Sequence, residues 1–180
     1  GEGPSALARV KTGDIIDAGE PLGRGFPLVS SDCALLIGGG LGIPPLLHLA
    51  SRLAKAGVVV QGVLGWRSPQ DVFLLDDFKQ WASVTTCGEL EGLDVKGTVL
   101  TALQGLNLKD TTTVYTCGPT PMMAAVQRWA ADRKFSGYAA LEERMACGIG
   151  ACGACACKTT GGQALVCSDG PVFPLEEVVF

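Results

Sequence analysis

Residues 33–51 read "CALLIGGGLGIPPLLHLAS". The stretch opens as an apolar run, "CALLIG", that suits a strand buried on both faces of a parallel sheet. Three consecutive glycines follow, then a fourth two residues on, then Pro44-Pro45 and a segment with helical spacing. Nineteen positions without a formal charge are about a bilayer's worth of helix. The glycines and the proline pair exclude that reading, because a helix through them would lose backbone donors and stiffness. What remains is a strand, a glycine turn and a helix entered at its prolines.

The same pattern repeats outward. "GVVVQGVLGW" (57–66), "SVTTCGE" (83–89), "TTTVYTCG" (111–118) and "GYAALEE" (137–143) read as strands, the last closing the sheet. "PPLLHLASRLAKA" (44–56), "SPQDVFLLDDFKQWA" (68–82, with Ser68 as N-cap), "GTVLTALQGL" (97–106) and "TPMMAAVQRWAADRK" (120–134) read as helices. Such alternation predicts an α/β fold with a parallel, doubly wound nucleotide-binding sheet over residues 33–142. Residues 1–32 read as short strands and turns, and residues 143–180 as a small cysteine-rich module.

Composition narrows the chemistry. Hydrophobic residues make up 47% of the 180, charged residues 18%, and the net charge is −4. No lysine and arginine cluster marks a nucleic-acid surface. A single histidine, His48, leaves the usual general base almost absent, so chemistry is expected of a bound cofactor. "GEGPSALARV" has no apolar signal core, and a cytoplasmic location is the expectation. Eight cysteines in such a chain point to metal or redox chemistry, not to a disulfide framework.

"IGGGLGIPP" lets a backbone approach a pyrophosphate at a helix N-terminus, although a tight turn without a ligand would look the same. The dinucleotide fingerprint is imperfect, with Pro45 in place of its third glycine and no acid closing the next strand. That strand ends in Arg67 and Ser68. Arg67 either receives a 2′-phosphate or is a solvated turn residue. A second strand-helix turn, "VYTCGPTPMM" (114–123), lies at the same sheet edge.

Five thiols crowd the tail, in "MACGIGACGACACK" (145–158) and "VCSDGPVF" (166–173). Cys147, Cys152, Cys155 and Cys167 are separated by four, two and eleven residues, the C-x₄-C-x₂-C arrangement of plant-type [2Fe–2S] proteins with a distant fourth thiolate. Small residues in "GIGACGA" allow the loop to wrap closely and to aim amides at sulfur. A Cys₄ zinc site is the competitor, though it more often shows two C-x-x-C pairs. Cys157 is expected to pack inward, and Cys33 and Cys87 to be core or strand residues.

"GGGLGIPP" and "CGPTPMM" together resemble the pyridine-nucleotide domain of the ferredoxin-reductase-like flavoproteins. The resemblance implies that Gly39, Gly40, Gly42 and Ile43 hold a pyrophosphate. It places Cys117, Gly118 and Pro119 beside a nicotinamide, unless Cys117 is simply a small core residue. "LEERMACGIGACGACACK" with "VCSDGPVF" resembles, more narrowly, the electron-transfer subunits of class B dihydroorotate dehydrogenases. The resemblance runs over essentially the whole chain.

That resemblance implies a [2Fe–2S] cluster, FAD and NAD as cofactors, and an FMN-containing catalytic subunit as partner in a heterotetramer of two of each. It implies no membrane or nucleic-acid partner and no catalytic residue acting on dihydroorotate in this chain. A sister group, the small subunits of NADH-dependent ferredoxin:NADP oxidoreductases, replaces the first cluster cysteine by aspartate, so Cys147 favours the dihydroorotate branch. The runner-up function is a small subunit of an NAD(P)H-dependent ferredoxin or sulfide-linked oxidoreductase.

Residues 1–32 resemble the end of that family's flavin-binding barrel, the rest of which has no counterpart here. Its "GEGT" turn stands here as "GEGP", so contacts from Gly3 and Pro4 to an FAD diphosphate are expected to be weak. Glu142 and Glu143 are read as a solvated strand end.

Overall fold

The computed structural model describes residues 2–29 and 31–180; Gly1 and Ser30, both within the expected barrel remnant, lie outside the described residues. The chain begins with helix α1 (Glu2–Leu7), followed by a long extended segment, and enters the sheet with β1 (Cys33–Gly39). Then come α2 (Ile43–Lys55), β2 (Val59–Trp66), α3 (Leu75–Lys79), β3 (Ser83–Gly88), β4 (Val95–Lys96), α4 (Val99–Leu103) and β5 (Thr112–Cys117). The remainder is α5 (Thr120–Asp132), β6 (Gly137–Ala140), β7 (Ala156–Thr159), β8 (Gly162–Leu165) and β9 (Val172–Pro174).

The main sheet runs β4-β3-β2-β1-β5-β6-β9, parallel throughout except for β9. Successive strands step outward from β1 to β4, and the chain then returns to place β5 on the other side of β1. The reversal puts a topological switch point between β1 and β5, where open α/β sheets bind ligands beyond their strand ends.

Every residue of β1 is buried, as its unbroken apolar run requires. Its side chains alternate between two cores. Ala34 and Leu36 join Ile43, Leu46, Ala50 and Leu53 of α2 on one face. Leu35 and Ile37 join Val99, Leu103, Val126 and Trp129 from α4 and α5 on the other.

The tail packs into this second core. Cys155, Val166, Cys167, Phe173, Leu175 and Val178 belong to it. The Gln127 side-chain amide on α5 donates to the carbonyls of Leu175 (2.6 Å) and Val178 (2.7 Å), pinning the tail to the helix. β6 is therefore not the last strand of the sheet, because β9 adds antiparallel to it. A strand of three residues is too short to announce itself in the sequence.

Two other expectations change. The helix anticipated over 68–82 is a single 3-10 turn (Pro69–Asp71) and the short α3. The Ser68 hydroxyl bonds the Asp71 carboxylate instead of a backbone amide, and Leu74 adopts a left-handed conformation (φ 57°) that breaks the run. Among the described residues of 1–32 the anticipated strands do not form either. Residues 2–25 are exposed, and the one bridge from this stretch joins Arg24 to Pro171. An extended segment without a partner leaves its ladder groups unpaired, whereas α1 satisfies its amides locally.

Candidate functional site

The carboxyl ends of β1 and β5 bring the two glycine-containing turns into backbone contact. A Cβ on Gly42 would fall on the Cys117 carbonyl group and lie 2.5 Å from the Gly118 nitrogen. A Cβ on Gly118 would meet the Gly39 backbone at 3.0 Å. Glycine is needed at both positions so that two main chains can touch.

This joint is a ridge with a cleft on each side. The first cleft, about 1330 Å³, is bounded by Phe26, the His48 and Arg52 side of α2, Cys117, Glu142-Glu143 and the tail near Cys157. The second, about 830 Å³, lies over the ends of β1, β2 and β3 and is walled by Trp66, Phe73, Val99 and Met122. Gly39, Gly40, Leu41 and Pro119 line both.

The nucleotide and flavin residues expected from the sequence do not all fall together. Gly39, Gly40, Gly42, Cys117, Gly118 and Pro119 are gathered at the ridge. Ile43 is near them in sequence, but its side chain is fully buried and its amide donates to the Gly40 carbonyl, so it lines neither cleft. Its role is to seat the turn on the core. Gly3 and Pro4 lie in the exposed helix α1, away from both clefts. Glu142 and Glu143 are exposed, as expected, and they also face the first cleft.

Leu41 was not anticipated. It is 85% exposed on the ridge crest, held out by Gly40 with φ at +51°. A leucine so placed loses apolar burial unless something covers it. Its only sequence signal is an apolar residue between turn glycines.

The environment of Cys117 suits a neutral thiol. Burial, with the Glu142 carboxylate adding to it, pushes the group up to about 11. Cys87 is pushed up to about 11 by burial alone and is core, as expected, like Cys33. Cys157 is half-buried against the tail core and also borders the first cleft.

The four remaining thiols form two pairs. The Cys152 amide points at the Cys147 sulfur (3.4 Å) and the Cys167 amide at the Cys155 sulfur (3.4 Å). The Ala154 amide points at the Cys152 sulfur (3.5 Å). Gly148, Gly150 and Gly153 all take left-handed φ values of 70–79°, which turns the loop amides inward.

Hydrogen bonds from Ile149 and then Cys152 hold the Cys147 thiol down at about 6, favouring thiolate. Cys147 and Cys152 are exposed, while Cys155 and Cys167 are buried. Among the described residues no group of three or more histidine, cysteine or acidic side chains is arranged to hold a metal ion. A binuclear cluster takes two thiolates on each iron, so four cysteines in two pairs with inward amides fit [2Fe–2S] better than one tetrahedral zinc.

A parallel doubly wound sheet with two clefts at its switch point, joined to a four-thiol loop, defines a nucleotide-binding oxidoreductase with an iron–sulfur module. Comparison with known proteins agrees. Residues 36–128 match the oxidoreductase NAD-binding domain, and residues 142–179 the iron-sulfur cluster binding domain of dihydroorotate dehydrogenase B.

The chain is 41% identical to the dihydroorotate dehydrogenase B (NAD(+)) electron transfer subunit of Shouchella clausii, over 99% of its own length and 71% of that protein. It is 40% identical to the subunit of Bacillus caldolyticus over the same shares. The chain belongs to the family of dihydroorotate dehydrogenase B electron transfer subunits.

Among solved structures, that of the NADH-dependent reduced ferredoxin-NADP oxidoreductase superposes with a TM-score of 0.84 at 30% identity, covering 97% of this chain and 64% of that one. The cytochrome b5 reductase domain of Ulva prolifera nitrate reductase shares the fold alone, with a TM-score of 0.61 at 15% identity over 75% of this chain and 62% of that one. Among the described residues no helix is long and apolar enough to cross a membrane.

Proposed function

We propose that this chain passes electrons between NAD⁺ and a partner FMN-containing subunit that oxidises dihydroorotate, in pyrimidine biosynthesis. The observation that carries this reading is the joining of a paired four-cysteine loop to a two-turn nucleotide edge through one continuous core. When bound, a [2Fe–2S] cluster supplies single-electron transfer and FAD converts between single electrons and hydride.

Cys147 with Cys152, and Cys155 with Cys167, would hold the cluster, and the loop amides would stabilise its negative charge. The exposed pair faces solvent, where a partner subunit can approach, and the buried pair anchors the loop in the core. Gly39 and Gly40 give a dinucleotide pyrophosphate close access to the backbone at the start of α2. Cys117, kept a neutral thiol by its burial, would line a nicotinamide site without placing a negative charge there.

The first cleft offers one wall for a flavin, made by Phe26, Pro119 and the Glu142 strand end. The site residues, the division at 32/33 and 142/143, a heterotetramer of two copies of each subunit and a cytoplasmic setting all belong to this proposal. The second reading is a ferredoxin-linked NAD(P)H oxidoreductase subunit, which the 0.84 superposition favours. Cys147, where that group is expected to carry aspartate, weighs against it.

Cys152→Ser tests the assignment. Purified anaerobically, the chain should show visible absorption with iron and acid-labile sulfide near two each per chain. The variant should lose all three while far-UV dichroism keeps the α/β signature. Iron and sulfide retained in full by the variant would refute the ligand set. Co-purification of the longer protein with an FMN subunit that reduces NAD⁺ on dihydroorotate tests the partner.

A further inference from the structure

The rim of the second cleft carries two carboxylates, Asp71 and Glu89, beside Arg67 at the end of β2. In dinucleotide-binding sheets the residues just past the second strand meet the adenosine ribose, where an acid accepts its hydroxyls and an arginine accepts a 2′-phosphate. Here that place is held by Arg67 and Ser68, a pairing that on sequence alone would suit a phosphate.

Both already face a carboxylate. The Ser68 hydroxyl donates to the Asp71 carboxylate at 2.8 Å. The Arg67 guanidinium faces the Glu89 carboxylate at 4.0 Å, from the turn after β3. Arg67, Asp71 and Glu89 all line the cleft, so its polar rim carries one positive and two negative charges.

The ion pair does little for the fold. Its side chains are 85% and 76% exposed, and pairs so placed contribute little to stability. Below the rim Trp66 is 5% exposed with its indole N–H unpartnered, and it meets Phe73 edge-on at 6.3 Å. The half-buried Phe73 ring, backed by Trp66, gives the cleft an apolar wall beneath a rim of hydrogen-bond acceptors, a setting that matches an adenine with an unmodified ribose.

We propose that Asp71 and Glu89 are specificity-determining residues that exclude a 2′-phosphate from this cleft, Glu89 by occupying Arg67 and Asp71 by occupying Ser68, so that NAD(H) is taken and NADP(H) refused. This rests on the reading of the cleft as a dinucleotide site. A 2′-phosphate brings nearly two negative charges to a rim already net negative. Neutralising both acids frees Arg67 and Ser68 to receive it.

The test is titration of the full chain with NADH and NADPH, read by nicotinamide fluorescence, with 5′-AMP and adenosine 2′,5′-bisphosphate as competitors to isolate the ribose end. The wild type should bind NADH at least about tenfold more tightly than NADPH, a difference of about 1.4 kcal/mol. Asp71→Asn combined with Glu89→Gln should cut that ratio at least tenfold through tighter NADPH binding, with the gain fading as salt rises. Adding Arg67→Ala should abolish the gain, and unchanged far-UV dichroism shows that the variants fold.

Wild-type binding of NADPH as tight as NADH, or a ratio unmoved in the double variant, overturns the proposal while leaving the dinucleotide reading intact. Binding of neither dinucleotide overturns that reading, and this proposal with it.

Discussion

Substituting Gly42 by alanine strikes the joint between the two turns and nothing else. The added Cβ would fall on the Cys117 carbonyl group and lie 2.5 Å from the Gly118 nitrogen, where ordinary contact begins at 3.4 Å. Both obstacles are backbone at the end of a central strand, so no side chain can swing aside. The turns must part by about 1 Å, and overpacking of this kind costs about 1–3 kcal/mol.

For a chain of this size about 2 kcal/mol lowers the melting temperature by ~4–8 °C. The parting also widens the ridge shared by both clefts, and a shift of about 1 Å at a binding geometry is enough to lose at least tenfold in NADH affinity. The assay is a thermal melt with NADH titration on the same preparation. Gly19→Ala is the control, since nothing lies within 4 Å of a Cβ there. It should change neither value. A Gly42→Ala protein that melts and binds like the wild type would refute the reasoning that backbone contact fixes the ridge.

Gln127→Met removes the donor for the Leu175 and Val178 carbonyls; leaving them unpaired should cost about 1–3 kcal/mol and speed proteolysis of the tail, both measurable on the folded chain. Asp94 accepts from the Thr86 amide (2.8 Å) and hydroxyl (2.7 Å), which hold its carboxyl below the ordinary value of 3.8. The stability it adds is therefore full above that value and is lost as pH falls through its lower folded value. Asp94→Asn should be less stable by about 1 kcal/mol at pH 7, given the exposure of the site, and the gap should close in denaturant melts toward pH 3. Cys117, raised from 9.0 to about 11, should resist iodoacetamide at pH 8 and react progressively as pH approaches 11, as peptide mapping of pulse-alkylated protein would show.

The elements legible in the sequence are those with long, unbroken signals. β1, α2, β2, β5 and α5 each carry a run of apolar residues or a helical period with proline at the entry, and each forms where expected. The pieces that escaped are decided by contacts distant in sequence. β9 exists because Tyr138 to Ala140 present a free edge, and α3 shrinks because Leu74 turns left-handed. The four tail cysteines stand out in the sequence by their spacing, but their division into an exposed and a buried pair does not. That division depends on Cys155 and Cys167 entering a core supplied by α4 and α5. Asp71 and Glu89 were invisible as a pair, since the turns after β2 and β3 that carry them meet at one rim only when the two strands pair in the sheet.

The chemical logic of the molecule follows from where its core is continuous. β9 pairs with β6 and the Gln127 clamp holds the tail at Leu175 and Val178 on α5, which begins at the Cys117-Gly118-Pro119 turn that abuts Gly42. One continuous core thus joins the buried pair, Cys155 and Cys167, to the elements that carry the ridge, and the ridge borders both clefts. Electron transfer through a protein rewards fixed distances and little reorganisation, and both are supplied by close packing without any titrating side chain. A chain with one histidine can serve this chemistry because its contribution is to hold groups at constant separation. The exposed Leu41 on the crest is where that arrangement is left open, at the point where the occupants of the two clefts would come closest.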